Sequence, residues 1–282
     1  MIVSGSTSQS LAAALAEATG EALAGVEFER FPDGELMGKV GEFEADRAVV
    51  VASTVSSDAH IELLQLQDAV REAGAEEVVT VLPYMGYARQ DAAFEPGQPV
   101  SVRAMARAIS TGTDRVLTVN PHEPDVTDHF SVPAETVDAA GLLADPLPED
   151  LVEPVFCSPD EGAIGIAETV RETYGGGETD FFEKTRLSGS EVEIEPSDTD
   201  VEGRDVVLTD DIIATGSTMS ESVAVLEERG AARVFVTCVH PMLAANAHTK
   251  LARAGVETVF GTDTIERPVS AVSVAPVVAD SL

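Results

Sequence analysis

Short apolar runs recur along the whole chain, and between them lie longer segments with the 3.6-residue period of a helix. Runs such as those at 48–52 and 206–208 are apolar at consecutive positions, as in strands buried on both faces. Such strands need helices over both faces, so the alternation dictates an α/β chain with mostly parallel sheets. In the first half, strands are expected at 2–4, 26–31, 48–52, 78–82 and 116–119, and helices over 8–19, 61–73 and 100–110. The stretch LLADPLPEDLVEP at 142–154 holds three prolines and reads as a domain linker. A second series follows, with strands at 155–157, 180–183, 206–208, 234–239 and 258–260 and helices over 162–174, 218–229 and 247–254. Gly175-Gly176-Gly177 closes one of these helices and Gly230 another. Two series of similar length and order imply a duplicated domain, with halves at 1–143 and 144–282.

The charge balance narrows the range of partners. Against 50 acidic residues stand only 17 lysines and arginines, for a formal net charge of −33. Such a surface repels the phosphates of nucleic acid, which excludes a nucleic-acid partner. It also strains the fold at low salt and is relieved at high salt, which points to a salt-rich interior such as that of a halophile. No apolar run approaches the ~18 residues of a membrane span, and MIVSGSTSQS at the N-terminus has no basic region ahead of a long apolar core. No membrane partner is expected, and the expected location is cytoplasmic. Cys157 and Cys238 sit inside apolar runs and read as buried, reduced thiols.

The stretch VVLTDDIIATGSTM at 206–219 carries the clearest chemical signal. Adjacent carboxylates repel and add nothing to a strand end, so Asp210 and Asp211 call for a ligand, a cation or both. The turn that follows leads into a helix whose orphan N–H groups and dipole favour a dianion, and Thr215, Ser217 and Thr218 add hydroxyl donors beside Gly216. A phosphorylated sugar meets both demands, because its hydroxyls suit the acids and its phosphate suits the turn. The layout resembles the PRPP-binding motif of phosphoribosyltransferase-type proteins, in which paired acids hold the ribose hydroxyls.

Five further motifs occur in order: ERFPDGELMGKV at 29–40, LPYMGYARQDAAF at 82–94, VNPHEPDV at 119–126, CSPDEGAI at 157–164 and FEKTR at 182–186. Together they resemble the ribose-phosphate diphosphokinase (PRPP synthetase) family, in a salt-adapted, haloarchaeal-looking form. The resemblance implies two phosphoribosyltransferase-type domains, an N-terminal one on the ATP side and a C-terminal one on the ribose 5-phosphate side, with the active site between them. It implies transfer of the β,γ-diphosphoryl group of Mg-ATP to the anomeric hydroxyl of ribose 5-phosphate, giving PRPP and AMP. Phe31, Asp33 and Glu35 then belong to an ATP loop that reaches a neighbouring subunit, so a homo-oligomer is expected with the ATP site near a subunit interface.

Arg89 and Gln90 match the family's ATP contacts, and a guanidinium is a natural fork for a triphosphate. His122 and Asp160 match positions near the Mg²⁺ ion. Asp210, Asp211, Thr215, Gly216, Ser217 and Thr218 take ribose 5-phosphate. Lys184 and Arg186 become the catalytic cations, able to stabilise charge on the transferring group, with 187–200 behind them as a mobile flap.

The chain departs from the family pattern in two places. Ala214 stands where the family often has an acid, so no proton transfer belongs to that position. Ala92 and Ala93 stand where basic residues often follow the Arg-Gln pair. Two other readings meet direct objections. A phosphoribosyltransferase that consumes PRPP would lack FPDGE and YARQ, and a silent regulatory subunit would have lost the Lys-x-Arg or Asp-Asp pair.

The net charge of −33 generates a test that needs no motif. Raising salt from 0.1 M to 1 M shortens the screening length from ~10 Å to ~3 Å and removes most repulsion between exposed carboxylates. Salt also weakens the pull of Arg89, Lys184 and Arg186 on phosphates, but those are a few close contacts set against dozens of repelling charges. Melting temperature and activity should therefore both rise between 0.1 M and 1 M KCl, in a thermal melt series with parallel assays. A melting temperature that is flat or falls with salt contradicts this reading of the surface.

Overall fold

Valine and isoleucine, stiff at χ1 and suited to a pleated surface, fill most of the buried strands. The structure is a computed structural model that describes the backbone of residues 1–186, 192–196 and 199–282, and the side chains of 1–182 and 199–282. The chain divides into two units, each with its own sheet.

The first unit contains β1 (Ile2–Ser4), α1 (Gln9–Thr19), the pair β2 (Val26–Arg30) and β3 (Leu36–Val40), β4 (Arg47–Val51) and α2 (Ser57–Glu72). It continues with β5 (Glu77–Leu82), α3 (Ser101–Ile109), β6 (Arg115–Val119) and β7 (Ala134–Val137). Its main sheet runs β1-β4-β5-β6-β7, parallel throughout. The expected strand at 26–31 is not in that sheet. It pairs antiparallel with β3 as a separate hairpin, which Gln65 of α2 clasps by accepting from Gly38 N and donating to Leu36 O.

The second unit contains β8 (Val155–Ser158), α4 (Ile164–Tyr174), β9 (Glu178–Arg186), β10 (Val192–Pro196), β11 (Asp205–Ile212), α5 (Ser217–Glu228) and β12 (Arg233–His240). After it come α6 (Ala247–Arg253), β13 (Thr258–Thr262) and β14 (Ser270–Val272). The sheet order is β10-β9-β8-β11-β12-β13-β14, with only β10 antiparallel. Numbered by chain position, its parallel strands read 2-1-3-4-5-6. The first unit has the same order once an isolated parallel bridge between Ile2 and Leu23 is counted as its second strand. Each unit also adds an antiparallel hairpin, β2–β3 in one and β9–β10 in the other. The duplication expected from the sequence is therefore visible in topology.

The boundaries differ from a simple division at 143. The first unit is 1–138 plus 263–266 and 273–282, and the second is 139–262 plus 267–272. The final helix, α7 (Ala275–Ala279), packs on α1 because Ala275 and Val278 need an apolar face and α1 buries Leu11 and Leu15. Arg47 and Arg115 then donate to the last two carbonyls, Leu282 O at 3.0 Å and Ser281 O at 2.9 Å. The proline-rich stretch 142–154 is not a free linker but part of the second unit. Leu143 and Leu147 are buried there, Tyr174 Oη donates to Pro148 O at 2.8 Å, and Val152 N donates to Asp205 Oδ2 at 2.7 Å.

Cys157 and Cys238 are both free and buried in the second unit's core. Burial drives both thiols upward, away from the reactive thiolate. Among the described residues, no helix is long and apolar enough to cross a membrane.

Candidate active site

Parallel strands place all their carboxyl ends on one edge of a sheet, and ligands collect there, beside the strand where the winding direction reverses. In the second unit that reversal lies between β8 and β11. The β8–β11 ladder ends at the Cys157–Leu208 pair, whereas the β11–β12 ladder continues to Ile212 and His240. Strand β11 is thus longer than the expected 206–208. Asp210 and Asp211 lie in the part that β8 no longer covers.

Asp160 sits two residues beyond the end of β8, close enough for its charge to act on Asp210. Burial pushes the Asp210 carboxyl well above the ordinary carboxylate range, and the charges of Asp211 and Asp160 push the same way. One backbone donor opposes the shift, since Asp211 N donates to Asp210 Oδ1 at 2.9 Å. Ile212 N likewise donates to Asp211 Oδ1 at 2.7 Å, so each acid of the pair is oriented by the next peptide.

The Thr-Gly-Ser-Thr turn follows directly. Gly216 caps α5 at φ 69°, a conformation that favours glycine, and a Cβ there would meet Ala247 of α6 at 3.2 Å. Thr215 Oγ1 and Ser217 Oγ lie 3.4 Å apart. Thr218 is half-buried in the first turn of α5. Lys250 of α6 donates to Ser217 Oγ at 2.8 Å and to Thr215 O at 3.3 Å. Sequence reasoning misses Lys250 because it lies outside every motif. Its one signal is scarcity, as one of three lysines in the chain.

Lys184 and Arg186 fall at the carboxyl end of β9, the neighbour of β8. Their side chains lie outside the described residues, as do 187–191 and 197–198 of the expected flap; 192–196 of that segment is strand β10.

In the first unit, Arg89 and Gln90 follow β5 and His122 follows β6, while Phe31, Asp33 and Glu35 stand at the tip of the β2–β3 hairpin. The loop after β5 crosses the end of β4: Thr54 N donates to Tyr84 O at 2.9 Å and Gly86 N donates to Thr54 Oγ1 at 2.9 Å. A Cβ on Gly86 would stand 2.1 Å from Thr54 O, so only glycine fits. Tyr87 Oη and Ser57 Oγ are 2.8 Å apart, which ties this loop to the first turn of α2. The hairpin tip is tied to the same turn by Arg30, whose guanidinium pairs with Asp58 at 2.5 Å. Two candidate ATP motifs, 54 residues apart counted from Phe31 to Met85, thus share one support.

Within them, Phe31 and Glu35 close the hairpin through Phe31 N donating to Glu35 O, and Asp33 Oδ1 accepts from Glu35 N. Arg89 is exposed. Gln90 is engaged internally: its Nε2 donates to Pro99 O at 3.3 Å and its Oε1 accepts from Ser101 Oγ at 3.1 Å, bracing the start of α3. His122 is exposed beyond the end of β6, after Asn120 at φ 34°.

The fold and the acid-plus-turn arrangement define an α/β protein built from two phosphoribosyltransferase-type domains. The description "N-terminal domain of ribose phosphate pyrophosphokinase" matches residues 1–112, and "phosphoribosyl synthetase-associated domain" matches 196–278. The ribose-phosphate pyrophosphokinase of Halobacterium salinarum is 65% identical over 283 aligned positions, covering all of both chains. That of Methanosarcina mazei is 46% identical and covers 100% of this chain and 94% of its own. The phosphoribosylpyrophosphate synthetase of Mycobacterium smegmatis superposes with a TM-score of 0.84 at 28% identity, covering 100% of this chain and 96% of that one. The chain belongs to the ribose-phosphate pyrophosphokinase family.

The strained acid pair yields a pH test. A carboxyl whose folded pKa is raised binds its proton more tightly folded than unfolded, so stability falls as pH climbs from the ordinary value of 3.8 toward the raised one. Asp210→Asn removes that loss. With ligands and divalent cations absent, the variant should melt near the parent temperature below pH 4 and increasingly above it toward pH 7. A gain of ~1 kcal/mol would appear as roughly 2–4 °C. A temperature gap that does not change with pH contradicts the assignment.

Proposed function

We propose that the chain transfers the β,γ-diphosphoryl group of ATP to the anomeric hydroxyl of ribose 5-phosphate. The sugar oxygen attacks the β-phosphorus, the bond from that phosphorus to the α,β-bridging oxygen breaks, and AMP leaves with the bridging oxygen. The hydroxyl proton is lost, and 5-phosphoribosyl 1-diphosphate is formed. The observation that carries this reading is the pairing of Asp210 and Asp211 with the 215–218 turn at the β8/β11 reversal, in a chain of this family.

In this reading the sugar phosphate rests on the turn and on the N-terminus of α5, where orphan N–H groups and the helix dipole favour a dianion. The sugar hydroxyls meet Asp210 and Asp211. ATP takes Arg89 as its triphosphate fork and Phe31 as an apolar surface for the base, while Gln90 and Asp33 shape the loops that present them. Lys184 and Arg186 supply cations to the transferring group. A homo-oligomer, with the 31–35 loop reaching a neighbour, belongs to the same proposal.

The residues present suit a magnesium ion. Asp160, Asp210 and Asp211 concentrate negative charge, yet no cluster of three or more ligating side chains forms a closed cage among the described residues. Mg²⁺ takes one or two carboxylates and draws the rest of its shell from water and substrate phosphates. Each unit has one candidate for such a ligand, His122 in the first and Asp160 in the second. When bound, the ion neutralises phosphate charge and orients the chain of phosphates.

Protein incubated with ATP, ribose 5-phosphate and a divalent cation should give equimolar AMP and 5-phosphoribosyl 1-diphosphate, and none without the cation. ADP in place of AMP would mean γ-phosphoryl transfer and would overturn the proposal. Lys184→Ala and Arg186→Ala should each lower kcat by roughly 10²–10³, about 3–4 kcal/mol of lost transition-state stabilisation, with smaller effects on either KM. Turnover within threefold of the parent in both variants would remove them from the chemistry.

A further inference from the structure

Lys250 stands in the last turn of α6, half-buried, with its ammonium on the phosphate turn rather than on a carboxylate. Lys39, the other lysine whose side chain is described, pairs with Glu27. Lys250 forms no ion pair among the described residues, although the chain carries 50 acidic residues. In so acidic a protein, a cation kept clear of carboxylates is available to another anion.

The direction of its hydrogen bonds says where that anion would lie. An ammonium has donors only, so Ser217 Oγ must accept from Lys250. The Ser217 hydroxyl proton is then free to point outward, either to Thr215 Oγ1 at 3.4 Å or to a group bound in the turn. Both hydroxyls flank Gly216, and Gly216 is held against α6, where Ala247 occupies the space a Cβ would need. Ala247 and Lys250 lie three residues apart, so one face of a single helix shapes the turn and delivers a charge to it.

We propose that Lys250 is a further binding residue for the phosphate group of the sugar substrate, acting on it through Ser217 and by direct charge. The inference rests on the assignment of ribose 5-phosphate to this turn, and it adds a specificity: the site prefers a doubly charged phosphate monoester. The turn itself offers only the backbone N–H groups at the start of α5 and the hydroxyls of Thr215, Ser217 and Thr218. Here a full positive charge stands behind them. That charge offsets the repulsion a dianion would meet from Asp210 and Asp211, which lie a few residues earlier in the same strand-and-turn segment.

The test compares parent, Lys250→Met and Lys250→Arg by calorimetric titration with ribose 5-phosphate and, separately, with ATP, at one fixed KCl concentration. Losing a hydrogen-bonding charge should weaken ribose 5-phosphate by about 10- to 100-fold in Lys250→Met. ATP should bind within twofold of the parent, and Lys250→Arg should recover most of the loss. Steady-state assays should show the same division, with KM for ribose 5-phosphate raised and kcat little changed.

A variant-free measurement covers the case of a misfolded mutant. In the parent protein, ribose 5-phosphate should protect Lys250 from an amine-acylating reagent, read by mass spectrometry, while unphosphorylated ribose should not. Equal affinity for ribose 5-phosphate in parent and Lys250→Met, or equal loss for both ligands, overturns the role of Lys250 alone. Absence of ribose 5-phosphate binding to the parent overturns the substrate assignment as well.

Discussion

Two carboxylates, Asp210 and Asp211, are held against their mutual repulsion at the place where the second sheet reverses its winding, with Asp160 adding a third charge nearby. Nothing in the acids themselves stabilises that arrangement; the surrounding sheet imposes it. Val206, Val207 and Leu208 are fully buried just before them, each contributing roughly 1.5–3 kcal/mol by leaving water. Thr209 is locked to Thr237 of β12 by a 2.9 Å contact between hydroxyls. The β12 ladder continues past the acids and fixes their backbone, while the N–H groups of Asp211 and Ile212 hold the carboxyls of Asp210 and Asp211. The strain is the sort that clusters at functional sites, where surrounding packing over-determines an unfavourable arrangement.

The duplication shows how one topology serves two tasks. In each unit the third parallel strand leads through a polar turn into a helix, β11 to α5 in one and β4 to α2 in the other. In the second unit that turn carries Thr215 and Ser217 and receives Lys250 from α6. In the first unit the matching helix start is occupied by the protein itself: Ser56 Oγ accepts from Ala59 N, Ser57 meets Tyr87, and Asp58 holds Arg30. The position proposed to cradle an anion in one copy is a support for two loops in the other. Those loops carry Phe31 and Arg89, the residues proposed to meet the nucleotide.

Most of the layout was legible because buried parallel strands write themselves as apolar runs. Strands β4 to β6, β8, β9 and β11 to β13 begin within two residues of the expected positions, and their ends differ by as much as four, as β11 shows; β10 falls where a flap was expected. What escaped notice lies where burial is weak or local period is short. Strand β3, LMGKV, alternates half-buried and exposed residues and includes a glycine and a lysine, so no apolar run marks it. Helix α7 has only five residues, too few to show a helical period, and its return to the first unit depends on a face of α1 that no local pattern reveals. The prolines of 142–154 marked a break in regular structure correctly, but proline content does not tell a linker from a packed loop held by Tyr174 and Asp205.

At the site, contiguous chemistry such as Asp210-Asp211 with the turn was readable, whereas Gln90 and Lys250 owe their positions to residues distant in sequence or on another helix. Gln90 fits the ATP motif yet spends its amide on Pro99 and Ser101.

The central claim is that the β8/β11 reversal receives the sugar phosphate. A crystal structure of the protein with ribose 5-phosphate tests it most directly. The account predicts a phosphorus atom within hydrogen-bonding reach of the 215–218 turn and ring hydroxyls facing Asp210 and Asp211. A sugar phosphate found instead at the carboxyl ends of β4 to β6 in the first unit, with the 215–218 turn empty, would contradict it.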